Sequence, residues 1–267
     1  MNLSLLLRIL VCLVVSGGTG CALKAPSLRT LPEEEAGRLK AAFHQALTQT
    51  CPTAVDADIR LHHKMMGREI SLPGTLQMQD NRLVYRAVDP LGRPLYIVSA
   101  SNNGFTLVEN REALAYAGEW DCGLRRRYLP GDVEPRDLVW WLSGRLKATD
   151  VHIRKVGLTS DDRCCWFVVN YDDSMDHYVL MNPLTGLVSR HLLHDPEQDE
   201  IKLELDYDDY LADENETCRL PGKITVSGEE LPGETVIFLE RVYSRDALDD
   251  KVFRQSLPEY YHIEEVE

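Results

Sequence analysis

Apolar and polar residues alternate with a period of two along much of this chain, and no other feature restricts the fold as strongly. The clearest run sets apolar residues against charged ones: Ile201, Leu203, Leu205 and Tyr207 against Lys202, Glu204 and Asp206. Successive side chains of a β-strand point to opposite faces, so this pattern predicts a strand with one buried and one solvated face. Comparable runs recur within 56–109, 164–193 and 219–243.

Short turns separate the predicted strands. Examples are Asp80-Asn81, Asp89-Pro90-Leu91-Gly92, Asn102-Asn103-Gly104 and Asn182-Pro183-Leu184-Thr185-Gly186. Connections of this length join antiparallel neighbours, whereas parallel strands need longer crossovers. The sequence shows no internal repeat and no low-complexity linker. We therefore predict a mainly β fold with some α-helix (α+β), built on a single curved antiparallel sheet.

Two segments depart from the period of two. Residues 32–49 begin with proline and glutamates and carry apolar side chains at helical spacing, which predicts a helix. Pro135 and the apolar block 138–142, ended by Gly144, predict a second helix within an inserted segment at 120–147. A sheet this long usually curls or closes. With helices at its mouth it becomes a half-open β-barrel whose concave side can hold an apolar ligand.

The first residues have the composition of a secretory leader. Arg8 precedes an apolar core at 9–15, and small residues lead from Gly18 to Cys21. A cysteine directly after small residues predicts cleavage just before it and attachment of lipid to its thiol. A large aliphatic residue is usual where Gly18 stands. The alternative is therefore a plain signal peptide followed by an incidental cysteine.

The predicted organisation is a signal peptide at 1–20, a tether at 21–30 and a single domain at 31–267. Acyl chains on Cys21 would hold the protein to a membrane. No other stretch approaches the ~20 apolar residues that span a bilayer. The formal charge of −14 argues against nucleic-acid binding, which needs a basic face. It also argues against a polybasic contact with anionic lipid.

The remaining cysteines carry little specific information. They are Cys51, Cys122, Cys164, Cys165 and Cys218. An oxidising compartment lets some of them pair, but the sequence does not select a pairing. Cys164 and Cys165 would point to opposite faces of a strand, so at least one is an ordinary buried thiol. No Cys-x-x-Cys motif supports a thioredoxin-like redox role.

Residues 80–147 contain a series of short motifs. The series is Asp89-Pro90-Leu91-Gly92 after the strand at 82–88, then Tyr128-Leu129-Pro130-Gly131, Pro135-Arg136-Asp137-Leu138 and Trp140-Trp141-Leu142-Ser143-Gly144. In the order and spacing of these motifs the chain resembles the LolB-like outer-membrane lipoproteins of the LolA/LolB superfamily. The resemblance covers about a quarter of the chain well and extends more loosely over the leader and the terminal strands.

The resemblance implies a half-open barrel with a helical lid and a function without catalysis. Family members accept the acyl chains of lipoproteins from a soluble periplasmic carrier and pass them to the outer membrane. This chain would then be anchored through Cys21 in the outer membrane, facing the periplasm, with those acyl chains and a LolA-like carrier as partners. No cofactor is implied. Ala22 agrees with outer-membrane sorting, since an aspartate there commonly retains lipoproteins in the inner membrane.

The resemblance also implies roles for individual residues. Leu91, at the tip of the Pro-Leu-Gly turn, would insert into the membrane, and the alternative is that it folds back onto the sheet. At most one of Trp140 and Trp141 would face the ligand, because adjacent helix positions point in different directions. The residues expected to line the cavity or its lid are Phe43, Leu83, Tyr85, Phe105, Trp140 and Trp141.

The sequence lacks the motifs that mark common enzymes. It has no Gly-x-Ser-x-Gly elbow, phosphate-binding loop, His-Glu-x-x-His or dinucleotide fingerprint. His191 and His194 would point to opposite faces of a strand, which makes a shared metal ion unfavourable. The acidic stretch 206–213 lacks the spacing of a calcium loop. We expect neither an enzyme nor a metal site.

Two features differ from the family. The chain is acidic where a receptor for an acidic carrier is expected to be basic, with Arg125-Arg126-Arg127 as one local basic patch, and the part after Tyr171 is long and acidic. A second function therefore stays open, that of a structural or assembly lipoprotein that binds a protein partner or another hydrophobic ligand with the same fold. A concave face filled by side chains would favour this alternative.

Overall fold

The fold is known from a computed structural model that describes residues 24–48, 51, 54–120, 133–149, 151–158, 164–171, 175–212, 218–228, 231, 233–255 and 257–266. These residues form mainly β-structure with a few helices, in agreement with the predicted class. The helices are α1 (Glu33–Leu47), α2 (Pro135–Leu142) and a 3-10 helix (Asp250–Phe253).

The strands before α2 are β1 (Arg29–Thr30), β2 (Val55–Met65), β3 (Arg68–Gln79), β4 (Arg82–Val88), β5 (Pro94–Ser101), β6 (Gly104–Glu109) and β7 (Leu114–Gly118). The strands after α2 are β8 (His152–Leu158), β9 (Cys165–Asn170), β10 (Asp176–Met181), β11 (Val188–Asp195), β12 (Glu200–Asp208), β13 (Lys223–Ser227), β14 (Glu234–Ser244) and β15 (His262–Glu265).

The described strands form a single open sheet. Its order is β1-β8-β9-β10-β11-β12-β13-β14-β2-β3-β4-β5-β6-β7-β15, so β1 and β15 are the edges. Two antiparallel meanders, β2 to β7 and β8 to β14, join where β14 pairs with β2. The single sheet predicted from the alternation is therefore present, and it is assembled from the two halves of the chain.

One pairing departs from the predicted antiparallel arrangement, because β15 runs parallel to β7. The segment after β14 crosses the outer side of β4 before it reaches β15. Arg86 Nη2 donates to Val252 O (2.8 Å), and Arg82 pairs with Asp250 (2.8 Å). This crossing carries the chain to the opposite end of the strands, so β15 starts at the same end as β7.

Both helices cover the same face of the sheet, which we call the helix face. Phe43 of α1 stacks on Phe167 of β9, with ring centroids 4.5 Å apart. Trp141 of α2 meets His191 of β11 edge to face, at 5.6 Å. Phe167 and His191 are both paired with Val179 of β10, and directly paired residues point the same way.

Helix α1 lies within the predicted range 32–49. Its three glutamates in the first turn suit the positive end of the helix dipole. Phe43 is fully buried, and Leu39, Ala46 and Leu47 pack against the same cluster, as the helical spacing predicts.

Helix α2 connects the two meanders. The apolar cluster over β8–β13 includes Trp141, and the cluster over β2–β5 and β14 includes Val139. Leu138 and Leu142 pack against both clusters. The helix therefore stabilises the junction of the two halves, because its side chains enter the core of each.

A disulfide joins Cys51, which follows α1, to Cys218, which precedes β13. This is a pairing that the sequence leaves open. Cys165 is buried and Cys164 is partly buried, both as free thiols, which agrees with the prediction of at least one buried thiol. Cys122 lies outside the described residues.

The described residues include only part of the predicted N-terminal organisation. Residues 1–20 and the lipid-attachment residue Cys21 lie outside the described residues. Of the predicted tether, Arg29–Thr30 forms β1 and pairs with β8. Among the described helices, none combines the length and the apolar character needed to cross a membrane.

Candidate ligand site between the helices and the sheet

Local sequence sets both ends of α2, the helix around which the site is built. Pro135 lies in the first turn, where its missing N–H needs no partner. Glu134 and Asp137 cap each other reciprocally, and Glu134 N donates to Asp137 Oδ2 at 2.8 Å. Gly144 follows the helix with a φ of +65°, a conformation that glycine adopts readily.

Two cavities flank α2 in the described part of the chain, and we call them cavity A and cavity B. Cavity A measures about 230 Å³ and lies between the C-terminal ends of α1 and α2 and the turn at 182–187. Its apolar wall consists of Ala46, Leu47, Trp140, Leu146, Met181, Leu187 and Val188. Its polar groups come from Arg145, Thr185, Tyr210 and Arg219.

A glycine brings the turn close to α1 at cavity A. Gly186 has a φ of +70°, and a Cβ built on it would lie 3.0 Å from the Cβ of Ala46. A larger residue at this position would push the turn away from the helix. The glycine therefore helps to keep one wall of cavity A in place.

Cavity B measures about 160 Å³ and lies between α2 and strands β9 to β11. Its polar lining comes from Glu134, Arg136, Asp137, Lys147, Tyr171, His177 and His191. Its apolar lining consists of Trp140, Trp141 and Leu146. Trp140 and Leu146 also line cavity A, so these two side chains form the wall between the cavities.

Two imidazoles lie at the sheet side of cavity B. His177 Nδ1 is 2.9 Å from His191 Nε2, and both residues are buried. Burial, and then repulsion from His177, hold the pKa of His191 well below its ordinary value. Burial also raises the pKa of Asp137. The lining of cavity B is therefore polar, and burial favours the uncharged forms of His191 and Asp137.

The structure brings two of the residues predicted for the cavity or its lid to the site. Trp140 lines both cavities, and the buried Trp141 lines cavity B only. Phe43 lies in the core on Phe167, outside the lining of both cavities.

The other three predicted residues lie in the first meander. Leu83 and Tyr85 belong to the second apolar cluster. The Tyr85 hydroxyl donates to Leu72 O (2.7 Å), and burial raises the pKa of Tyr85 to about 12. Phe105 packs edge to face on Trp120, with ring centroids 6.5 Å apart. Leu83 and Tyr85 therefore belong to the core, Phe105 packs on a side chain beside it, and none of the three lines cavity A or B.

Leu91 is exposed at the tip of the turn between β4 and β5. Asp89 organises this turn, since its Oδ1 accepts from Leu91 N (2.8 Å) and Arg93 N (2.9 Å). These bonds and the Arg93 guanidinium lower the pKa of Asp89. Leu91 is 77% exposed, so it does not fold back onto the sheet. Its predicted insertion into a membrane remains a prediction.

A similar turn lies at the opposite end of the strands. Asn182 Oδ1 accepts from Leu184 N (2.9 Å), and Leu184 is 93% exposed. Strands β4 and β10, which precede these turns, are separated by an odd number of antiparallel pairings and so run in opposite directions. Leu91 shares its end of the sheet with Met66 in the β2–β3 turn, which is 96% exposed.

The sequence pattern does not indicate the partners of several residues at the site. His191 draws attention in the sequence because His194 is near, yet the two point to opposite faces as predicted, and His191 instead meets His177 of β10. Arg145 and Arg219 reach one cavity from distant parts of the chain. No group of three or more metal-binding side chains occurs among the described residues.

The sequence matches no protein-family model and no curated protein. Solved structures do match. A LolA superfamily protein from Nitrosomonas europaea aligns with a TM-score of 0.54 and 11% identity, over 82% of this chain and 97% of that chain. A domain assigned provisionally to outer membrane lipoprotein sorting, from Vibrio parahaemolyticus, aligns with a TM-score of 0.55 and 8% identity, over 82% and 96%. The chain has a LolA-like fold.

A third solved structure also aligns with this chain. A DUF1329 family protein from Desulfovibrio piger aligns with a TM-score of 0.55 and 11% identity, over 84% of this chain and 98% of that chain. These likenesses do not single out the LolB-like proteins. At such low identity they show the LolA-like fold alone, and the function has to be argued from the site.

Proposed function

We propose that this protein binds acyl chains between its two helices and the sheet, and that it assists the localisation of lipoproteins to the outer membrane. The observation that carries the proposal is that cavities A and B meet at Trp140, beneath the helices of a LolA-like sheet. The proposed partners are the acyl chains of lipoproteins and a LolA-like periplasmic carrier. The proposed activity is binding and transfer, without catalysis.

The volumes of the two cavities indicate that a side chain has to move before an acyl chain can bind. Cavity A measures about 230 Å³ and cavity B about 160 Å³. Small-molecule sites usually measure ~300–1,000 Å³, so neither cavity is large enough alone. Joined, they reach that range. A rotation of Trp140 would open the wall between them and leave α2 in place.

The rest of α2 is held too firmly to act as a lid that lifts away. Val139 and Trp141 are buried in the two apolar clusters, and lifting the helix would expose both. Exposing a large apolar side chain costs ~1.5–3 kcal/mol. Movement of the half-buried Trp140 is the smaller change. Within this proposal, Trp140 is the residue that admits the chain.

Attachment to the outer membrane, facing the periplasm, is part of the proposal. Acyl chains on Cys21 would provide the anchor, since a multiply acylated cysteine holds stably to a bilayer. Leu91 and Met66 provide exposed apolar side chains at one end of the sheet. We propose that Leu91 enters the membrane surface when cargo is delivered.

A second function is favoured by the packing of the helix face. Val139 and Trp141 fill much of that face and leave only small, separate spaces beside α2. A filled face suits a structural or assembly lipoprotein that binds a protein partner. The exposed Met66 and Leu91 would then contact that partner instead of lipid.

Titration calorimetry with an uncharged medium-chain monoacylglycerol tests acyl binding. Ala46→Phe fills cavity A from α1, and the matched control Ala41→Phe adds the same ring on the exposed side of α1. We expect roughly tenfold weaker binding by the Ala46 variant and unchanged binding by the control. Equal weakening by the two variants would exclude cavity A. No binding by the wild type would favour the partner-binding function.

Transfer of a radiolabelled lipoprotein from its soluble carrier tests the role in sorting. Transfer to this protein in solution, followed by delivery to vesicles, is the expected result. If the wild-type protein binds monoacylglycerol but accepts no lipoprotein, the receptor role is wrong and the proposal of acyl binding stands.

A further inference from the structure

Cavity A contains two guanidinium groups beside its apolar wall. Arg145 follows Gly144 at the end of α2, and Arg219 follows the disulfide-bonded Cys218. Among the residues that the structure describes, no carboxylate forms an ion pair with either arginine. In the part of the chain that the structure describes, both cations therefore line cavity A without a counter-charge.

The chain offers many carboxylates that could pair with these two cations. The sequence has 43 Asp and Glu residues against 29 Lys and Arg residues, so carboxylate partners are abundant. Other arginines use them: Arg60 pairs with Glu240, Arg82 with Asp250, Arg93 with Asp89, Arg154 with Asp176, and Arg190 with Asp206. Arg145 and Arg219 have no such partner among the described residues, although both line a cavity.

The surroundings of Arg145 favour a negative ligand. Burial, and then repulsion from Arg245, lower the pKa of Arg145 to about 10. The neighbouring Tyr210 hydroxyl donates to Val188 O (2.5 Å). Asp208, at the end of β12, pairs with Lys223 (3.2 Å). A partly desolvated cation without a counter-charge is unfavourable, and a bound anion would remove that penalty.

We propose that cavity A binds the negatively charged head group of an amphiphile, with Arg145 and Arg219 on the head group and the hydrocarbon chain directed past Trp140 into cavity B. This inference rests on the proposed acyl binding and names the class of ligand. A guanidinium presents parallel N–H donors that match a carboxylate or a phosphate. Either head group satisfies this chemistry.

The order of groups along the site supports this direction of binding. The arginines and the exposed Leu184 lie with the turn at 182–187, at one end of the strands. From there the apolar wall leads through Trp140 and Leu146 to the apolar side of cavity B, which Trp141 completes. An amphiphile that enters chain first at this end would stop with its head group at Arg145.

Calorimetric titration of the purified protein with ligands of equal chain length tests the proposal. The ligands are a medium-chain fatty acid, the corresponding alkyl phosphate and the uncharged monoacylglycerol, with inorganic phosphate as a chain-free probe. We expect both anionic amphiphiles to bind roughly tenfold more tightly than the monoacylglycerol. The tighter of the two identifies the head group. Inorganic phosphate should bind much more weakly than the alkyl phosphate.

Substitutions of the two arginines test whether the preference for anionic ligands arises in cavity A. Arg145→Gln should remove the advantage of the anionic ligands, roughly tenfold, and leave binding of the monoacylglycerol unchanged. Arg219→Gln tests the same point from another element and keeps the test decisive if the first variant does not fold. Arg154→Gln is the matched control, because Arg154 pairs with Asp176 outside both cavities.

The failures of the two proposals are distinguishable. Equal binding of charged and uncharged ligands by the wild type would overturn the head-group site while acyl binding stands. Equal binding of inorganic and alkyl phosphate would show an anion site without a chain and also overturn it. Absence of binding by every amphiphile would overturn both proposals. An unchanged anionic preference in both arginine variants would place the head group elsewhere.

Discussion

His177 and His191 stack on neighbouring strands beneath α2, with ring centroids 5.1 Å apart and planes 27° from parallel. The 2.9 Å distance from His177 Nδ1 to His191 Nε2 requires one of these nitrogens to donate and the other to accept. The accepting ring must be neutral. Burial of His191 favours the same state, since it disfavours the charged imidazolium.

We expect the free energy of unfolding to decrease as the pH falls through the ordinary histidine pKa of 6.5. The pKa of His191 is depressed in the folded state, so below that pH the unfolded chain binds a proton that the folded chain does not. The contribution of His191 is complete above the unfolded pKa and decreases below it, by up to about 1.4 kcal/mol per pH unit.

Urea unfolding between about pH 5 and about pH 8 measures this effect. His191→Gln should make the free energy of unfolding depend less on pH. His152→Gln, at an exposed position on β8, should leave the pH dependence unchanged. The raised pKa of Asp137 acts in the opposite direction, and the comparison with His191→Gln separates the two groups. An unchanged slope in His191→Gln would contradict the prediction.

Phe43→Ala should destabilise the protein strongly. Phe43 is 0% exposed and stacks on Phe167 at 4.5 Å, which makes it the main contact of α1 with the sheet. Removal of a buried aromatic ring costs about 3–5 kcal/mol. Urea unfolding measures the loss, and Phe43→Leu, which retains much of the volume, should lose less. A loss below about 1 kcal/mol would show that α1 is held by other contacts.

Replacing both Cys51 and Cys218 by serine should also lower the free energy of unfolding. The disulfide closes a loop with a sequence separation of 167 residues, and removal of a bond that closes a long loop costs about 2–5 kcal/mol. Urea unfolding of the variant with and without reductant measures the difference. Cys164→Ala, which changes a free thiol, is the control. Reductant should lower the free energy of unfolding of the control but not that of the double variant.

Leu91→Glu should impair delivery of lipoprotein to vesicles without changing the stability of the fold. The side chain is exposed, and surface substitutions usually change stability by less than about 0.5 kcal/mol. Leu184→Glu is the matched control, because Leu184 is exposed in a similar turn at the opposite end of the strands. Vesicle flotation and the transfer assay measure the effect. Normal delivery by the Leu91 variant would remove the special role of this turn.

Regular alternation predicts the strands better than any other signal. The run from Ile201 to Tyr207 lies within β12, as the pattern predicts. The pattern does not predict β7 or β8. Strand β7, Leu114–Gly118, consists mainly of small residues, and β8 contains an irregularity between Ile153 and Lys155 that shifts the alternation.

The LolA-like fold also follows in part from the sequence, because turn and helix motifs occur in a recognisable order. The assignment of individual side chains to a cavity does not follow. Leu83, Tyr85 and Phe105 have the apolar character of a ligand site, but the first meander packs Leu83 and Tyr85 into its core and Phe105 onto Trp120. Composition cannot separate these two uses, since both require large apolar side chains.

Local pattern determines the type of each element, the turns between them and the capped ends of α2, because these features depend on residues a few positions apart. Tertiary structure alone decides which side chains meet. His177 reaches His191, and Arg145 reaches the same cavity as Arg219, only through the pairing of strands and the path of the chain between them. Register and crossover place such residues together, and neither is encoded in the spacing of a single segment.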